Sequence, residues 1–172
     1  DGLNLVRLFC IIFPIFLFIL LEKERGIFMI EQDTIKLLRE CDAGVKMGVS
    51  SIAEILDNVK NENFEKLLTK CKEEHKKLET EINQLLEKYE DEGKEPNAFA
   101  KGMSWMKTNW KLSMDNTDNT IADLMTDGCN MGVKSLNRYL NQYKAADEVS
   151  KDIAKRLINL EEKLVIDIRE YL

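Results

Sequence analysis

The sequence lacks most of the residues that familiar catalytic sites require. It has one histidine among 172 residues, no Cys-x-x-Cys pair and no glycine-rich loop that could cradle a phosphate. A single histidine leaves no second imidazole for acid–base chemistry, and the missing loop removes the usual signature of nucleotide binding. Catalysis by a familiar mechanism is therefore poorly supported, and we expect a protein that is not an enzyme.

Basic residues are also fewer than acidic residues. The 31 Asp and Glu residues outnumber the 25 Lys and Arg residues, which gives a net charge of −6. Because nucleic-acid phosphates require a basic face, we expect no nucleic-acid partner. The cysteines are dispersed, unlike the disulfide framework of a small secreted protein, and we interpret them as reduced thiols in a cytoplasmic protein. They are Cys10, Cys41, Cys71 and Cys129.

Helix-breaking residues are few, with only two prolines and eight glycines. Apolar residues recur at steps of three and four in four segments, a spacing typical of amphipathic helices that pack together. No segment shows the alternation of a strand. The pattern predicts an all-α fold with four core helices, over Leu38–Val59, Phe64–Tyr89, Met125–Tyr143 and Ala154–Tyr171.

The ends of these helices are marked by local signals. Asp33 or Thr34 suits the N-cap of the first core helix, and the polar stretch 58–63 interrupts the pattern after it. Gly93 and Pro96 follow the second helix and predict a turn there.

A short motif, Cys-x-x-Gly-Val-Lys, occurs twice, at Cys41–Lys46 and Cys129–Lys134. Core positions of the first and third helices correspond by the same shift of 88 positions, and those of the second and fourth by a shift of 86. These correspondences predict two duplicated helical hairpins joined by the connector Ala98–Thr120, whose amphipathic part, Ala98–Met114, forms a helical crossover. Because glycine within a helix costs about 1 kcal/mol relative to alanine, we expect close helix packing at Gly44 and Gly132.

The single histidine, His75, falls at a core position one turn after Cys71. The internal repeat pairs His75 with Glu161, and it places Val45 and Val133 in the same layer. An ionisable side chain in an apolar core is costly unless it has a partner. We therefore predict a buried, hydrogen-bonded pair of His75 and Glu161.

The repeated Cys-x-x-Gly motif and the segment GMSWMKTNWK (Gly102–Lys111) resemble those of a small, uncharacterised bacterial branch of the ferritin-like four-helix bundles. The resemblance covers Thr34–Leu172. In that branch, the first and third core helices carry Cys-x-x-Gly-Glu. Ferritin-like di-iron sites use one Glu from each of two helices and a Glu-x-x-His from each of the other two. The resemblance thus implies a ferritin-like fold and a position for a di-metal centre.

Most ligands that the resemblance implies are replaced in this chain. The six positions hold Val45, Lys72, His75, Val133, Ile158 and Glu161. Valine and isoleucine cannot bind a metal, and a lysine would repel one. We therefore expect a vestigial site with no di-metal centre and no cofactor, in a non-catalytic bundle with a structural or protein-interaction role.

Two alternatives remain open at this point. Cys71 and His75 lie one turn apart, a spacing that can chelate zinc, and Cys129 and Glu161 could complete a residual metal-binding or redox site. Free cysteine is also a common small core residue. The helical surface, or the connector with Trp105 and Trp110, could instead bind a protein partner or a second copy of the chain.

The N-terminal residues 1–28 form an apolar extension to the predicted bundle domain, residues 29–172. Their apolar run, Leu8–Leu21, is short for a membrane span, which needs about 20 residues. One interpretation is that the natural protein starts at Met29. The other is that Leu8–Leu21 is a genuine membrane anchor that tethers the bundle.

Overall fold

The computed structural model describes residues 2–93 and 117–172, with side chains from residue 21 onward. Within these ranges the chain forms α-helices and short 3-10 turns and no strand, so the predicted all-α class is confirmed. The helices are α1 (Gly2–Ile55), α2 (Glu62–Lys88), α3 (Asp118–Gln142) and α4 (Glu148–Asp167). The 3-10 turns are Leu56–Asn58 and Arg169–Tyr171.

Contacts between helix ends give the directions of the helices. The carboxylate of Asp118, at the start of α3, accepts hydrogen bonds from the backbone N–H groups of Lys60 and Asn61, just beyond the end of α1 (2.8 and 2.9 Å). Far up α1, the Thr34 hydroxyl accepts a hydrogen bond from the backbone N–H of Asp147, which follows α3 (2.9 Å). Helix α3 therefore runs antiparallel to α1, as a crossover between the hairpins requires. The predicted crossover segment itself lies outside the described residues.

The predicted start of the first helix is wrong. Helix α1 runs unbroken through Asp33 and Thr34 and is 54 residues long. Both side chains bond elsewhere, because Asp33 accepts a hydrogen bond from the backbone N–H of Ala145 (3.0 Å) and Thr34 accepts the one from Asp147. These polar side chains thus stabilise the loop between α3 and α4.

The other boundaries follow the local signals. The Asn61 side chain caps α2 by accepting from the N–H groups of its first turn, and Thr117 and Asp147 cap α3 and α4 in the same way. Gly93, beyond the end of α2, has a φ of +83°, a conformation that favours glycine. The polar break and the glycine turn are therefore confirmed.

The buried side chains form two clusters along the bundle. The first core cluster contains Cys41 and Val45, and the second contains Cys71 and Cys129. The placement of Cys71 with Cys129, and away from Cys41, is the one that an antiparallel α3 requires. The largest fully buried side chains of the two clusters are Leu37, Leu38, Ile82, Leu86, Ile153 and Leu157 in the first and Ile52, Ile55, Phe64, Leu68, Ile121 and Ile168 in the second.

Helix α1 continues beyond the bundle at its N-terminal end. The side chains of residues 21–32 are all exposed, including the consecutive apolar residues Ile27, Phe28, Met29 and Ile30. The helix passes through Met29 without a break. Among the residues whose side chains are described, no helix combines the length and apolar character needed to cross a membrane.

Candidate functional site

The predicted pair of His75 and Glu161 is confirmed. Nε2 of His75, on α2, lies 3.0 Å from Oε1 of Glu161, on α4. The histidine side chain is 1% exposed and the glutamate side chain 12%, so the contact lies in the core and opens to solvent only on the Glu161 side. The contact links the two hairpins of the bundle through a polar bond inside the core.

The partners of the His75 ring define its protonation. Nδ1 lies 2.9 Å from the backbone carbonyl oxygen of Cys71, which can only accept a hydrogen bond. Nε2 faces a carboxylate, which also accepts when ionised. Both ring nitrogens therefore carry a proton, and the side chain is an imidazolium that bonds the Glu161 carboxylate as an ion pair.

The pKa of His75 agrees with this assignment. Burial lowers the pKa of the imidazole, but the contacts with Cys71 and Glu161 outweigh burial and raise it to about 10. The ring is therefore charged at neutral pH, because its proton is held by acceptors that face it from α2 and α4.

Helix α1 approaches the ring closely at Gly48. A Cβ atom at this position would lie 2.8 Å from both Cδ2 and Nε2 of His75. The expected close packing at Gly44 and Gly132 is less tight, because a Cβ there would lie 3.6 Å from Leu157 and 3.7 Å from Glu161, which are ordinary contacts. Gly48 is thus the position at which the His75 ring leaves no room for a larger residue.

Two buried cysteines, Cys129 beside the pair and Cys41 in the first core cluster, are protonated thiols. Burial raises the pKa of Cys129 well above its usual value, and the Glu161 carboxylate, which accepts its hydrogen bond, raises it further. Burial also raises the pKa of Cys41, to about 12. Because the thiolate is the nucleophile and metal ligand, these two side chains are poorly suited to redox or metal chemistry.

The replaced ligand positions hold side chains that pack in the core or reach the surface. Val45 is fully buried in the first core cluster, which also contains Ile158 and against which Val133 packs. Lys72 is partly exposed on α2. In the described ranges, 2–93 and 117–172, no group of three or more His, Cys, Asp or Glu side chains is arranged to hold a metal ion. By the chemistry of these donors, the residues present do not fit a di-iron centre.

A cavity of about 260 Å³ lies between α1 and α3, next to the pair. His75 and Glu161 contribute to its floor, and α1 and α3 contribute small residues to its sides. These small residues are Ala43, Gly44, Gly48 and Ser51 on α1 and Gly128, Gly132 and Ser135 on α3. The remaining wall consists mainly of Met and Leu side chains.

The cavity is the part of the site that sequence reasoning missed. The signal for it was present, since glycines recur four residues apart on α1 (Gly44 and Gly48) and on α3 (Gly128 and Gly132). Residues four apart share one face of a helix, so each pair leaves a strip without side chains. The tryptophans of the predicted partner-binding connector, Trp105 and Trp110, lie outside the described residues.

Comparison with known proteins finds no family model, curated protein or solved structure that matches this chain.

Proposed function

We propose that this chain is a ferritin-like four-helix bundle without a di-metal centre, which acts through binding or structure and not through catalysis. The observation that carries the proposal is the ion pair of His75 and Glu161, with its 3.0 Å contact between α2 and α4. These side chains stand at the two histidine positions of the ferritin-like pattern. Because the imidazolium and the carboxylate neutralise each other, the buried pair needs no metal ion to compensate its charges.

The topology supports the ferritin-like part of the proposal. Helix α2 ends near one end of the bundle, where a Cβ at Gly93 would contact Asp42, and α3 begins at the other, where Asp118 bonds Lys60. The intervening chain must therefore join opposite ends, as in bundles with one long crossover.

The core supports an internal duplication. Under the shift of 88 positions, Cys41 of the first core cluster corresponds to Cys129 of the second. Under the shift of 86, Leu78 and Ile82 of the first cluster correspond to Leu164 and Ile168 of the second. These three pairs exchange clusters, which is what a two-fold axis between the hairpins would produce.

Elemental analysis tests the absence of a metal centre. The full chain, purified from its native host without chelators, is expected to contain iron and zinc far below one atom per chain. The matched control is Glu161→Gln, which keeps the shape of the side chain and removes its charge. Stoichiometric metal in the wild-type protein that is lost in the variant would overturn the proposal and favour the residual metal site of His75, Glu161 and the cysteines.

The exposed apolar residues of α1 support an interaction role. Leu21 and the run Ile27–Ile30 lie on the part of α1 beyond the bundle, and each is about half exposed. Apolar side chains grouped in this way favour contact with a partner, either a protein or a second copy of the chain.

A second candidate function, a membrane-tethered bundle, is favoured by the continuity of α1 from Gly2 into the bundle. A tether requires the apolar stretch Leu8–Leu21 to enter a bilayer. Sedimentation with host membranes in alkaline carbonate tests it, with a variant that starts at Met29 as the control. The tether is supported if only the full chain stays with the membranes, and it is excluded if both chains remain in the supernatant.

A further inference from the structure

The chain that connects α2 to α3 is anchored beside α1 at both of its ends. At the end of α2, the Asp91 carboxylate accepts two hydrogen bonds from the Arg39 guanidinium of α1, at 2.8 and 2.6 Å. At the start of α3, the Asp118 carboxylate accepts a hydrogen bond from the backbone N–H of Lys60, just beyond α1 (2.8 Å). Residues 94–116 join these two anchors, so they cover the length of α1 from the level of Arg39 to that of Lys60.

The distance between the two anchors suits a helix. The helical chain from Arg39 to Ile55, together with the short 3-10 turn after it, spans roughly 30 Å. As a helix, the predicted crossover Ala98–Met114 would be roughly 25 Å long, and the residues on either side of it can supply the remainder. Fully extended, residues 94–116 would instead reach roughly 75 Å, more than twice the required distance. The length of the chain therefore favours a helix that lies alongside α1.

The cavity between α1 and α3 occupies the interval between the two anchors. Its lining on α1 extends from Glu40 to Ile52, and its lining on α3 extends from Leu124 to Tyr139. Because α3 runs antiparallel to α1 from the level of Lys60, these two stretches cover the same length of the bundle. The cavity is thus a groove that runs beside α1 between the points where the connecting chain leaves and rejoins the bundle.

The groove is apolar and has room for large side chains. Glycines and serines of both helices leave space at its sides, and methionine and leucine side chains form most of its wall. Its volume of about 260 Å³ exceeds that of an engineered apolar cavity that holds benzene, roughly 150 Å³. At its edge, the described residues leave Met131 of α3 53% exposed. An aromatic or methionine side chain therefore fits the groove and would bury apolar surface there.

The sequence of the predicted crossover provides an apolar stripe for such a groove. Large apolar residues recur at steps of four and three, so they would share one face of a helix. The members of this apolar stripe are Phe99, Met103, Met106, Trp110 and Met114. The opposite face would carry polar residues, among them Lys101 and Thr108. A helix of this kind is stabilised when its stripe packs against an apolar surface.

We propose that the segment Ala98–Met114 docks as a helix in the groove between α1 and α3, with its apolar stripe against Met47 and Met131. The positions of the anchors, the length of the chain, the place and lining of the groove and the pattern of the stripe support this arrangement. The inference goes beyond the proposed function and needs neither the ferritin-like resemblance nor the absence of a metal. Metal analysis and the docking tests can therefore fail separately.

The two tryptophans of the chain test which face of the segment is docked. Trp110 belongs to the apolar stripe, whereas Trp105 would lie roughly 140° around the helix from the centre of the stripe. Trp105→Phe leaves Trp110 as the only tryptophan, and Trp110→Phe is the matched control. Fluorescence emission and acrylamide quenching are measured on the full chain at pH 7. Trp110 should emit at a shorter wavelength and be quenched several-fold less than Trp105, and equal accessibility of the two would overturn the proposal.

A side chain placed in the groove tests the location. A Cβ at Gly128 would have no atom of the described residues within 4 Å, so Gly128→Gln does not clash with them at its Cβ. Packed helices have axes about 8–10 Å apart, a spacing that accepts a methyl group at Gly128 but not a long side chain. The matched control is Gly26→Gln, because Gly26 is equally open and lies on the part of α1 beyond the bundle.

Both glycine variants are made in the protein whose only tryptophan is Trp110. Gly128→Gln should raise the acrylamide quenching of Trp110 several-fold, and Gly26→Gln should leave it unchanged. Trp110 that stays protected in a folded Gly128→Gln protein would place the segment elsewhere and overturn the proposal. If circular dichroism shows that Gly128→Gln does not fold, the comparison of the two tryptophans remains decisive.

Other occupants of the groove give different results. If Trp110 is protected only at concentrations at which light scattering shows a dimer, a second copy covers the stripe and the proposal is wrong. It is also wrong if Trp110 is accessible to acrylamide at every concentration of the purified chain, because the groove would then be left to a different partner.

Discussion

At Gly48, on one side of the His75 ring, α1 is so close that a methyl group would lie 2.8 Å from ring atoms. Across the cavity, at Gly128 of α3, the same methyl group would have no atom of the described residues within 4 Å. One glycine therefore permits contact, whereas the other leaves space. The residue type alone does not distinguish these roles, and they should respond to mutation with opposite signs.

The largest effect should come from breaking the ion pair of His75 and Glu161. His75→Leu or Glu161→Leu alone leaves a buried partner without its bond, and each should cost about 3–5 kcal/mol of unfolding free energy. The double variant should cost far less, because both polar groups are removed together. Urea unfolding at pH 7 measures all three. If the double variant is as unstable as the single ones, the pair does not stabilise the bundle as described.

The pair should also make stability depend on pH. The pKa of His75 is about 10 in the folded protein, against 6.5 for an unperturbed histidine, so the contribution of His75 to stability is complete below pH 6.5 and is lost as the pH rises through about 10. One proton gives a slope of up to about 1.4 kcal/mol per pH unit in this window. Unfolding in urea from pH 6 to pH 10 should show this loss in the wild type. A double His75→Leu, Glu161→Leu variant with the same slope would contradict the assignment.

On the closed side, Gly48→Ala should destabilise the bundle. The new methyl group meets a buried ring, which cannot move aside freely, and overpacking of this kind costs about 1–3 kcal/mol. Gly44→Ala is the matched control one turn earlier, where the nearest side-chain atom would be 3.6 Å away. Thermal unfolding compares them. Equal melting temperatures for the two variants would show that α1 moves away from His75 at little cost.

On the open side, Gly128→Ala should be mildly stabilising. It replaces a helical glycine without a new close contact, a change worth about 1 kcal/mol of helix stability. Gly26→Ala offers the same gain in helix stability on the exposed part of α1. The two variants should therefore be stabilised equally if the space at Gly128 is free. A loss of stability at Gly128 in urea unfolding would mean that even a methyl group has no room there.

The ion pair could be predicted from the sequence because two independent patterns agreed on it. The spacing of three and four residues placed His75 in the core, and the internal repeat selected Glu161 as its partner. Helix type and the polar break after α1 were equally accessible, since both depend on local spacing and caps. The helical content therefore follows from short-range regularities, and the pair follows from these together with the internal repeat.

The features that sequence reasoning missed depend on contacts between distant segments. Asp33 and Thr34 are good N-caps, but nothing local reveals that the α3–α4 loop uses them while α1 continues. The cavity depends on the spacing of α1 and α3, which the repeat does not determine. Asp42 is similar, because its carboxylate is fully buried and bonds Lys46 at 2.7 Å, although aspartate is usually exposed.

The length of α1 has a mechanical consequence. At 1.5 Å per residue, the helix between Gly2 and Thr34 extends roughly 48 Å from the bundle. A continuous helix acts as a stiff spacer, so it fixes a distance as well as a connection. Whatever the N-terminal end of α1 contacts, the His75–Glu161 pair is held well away from it.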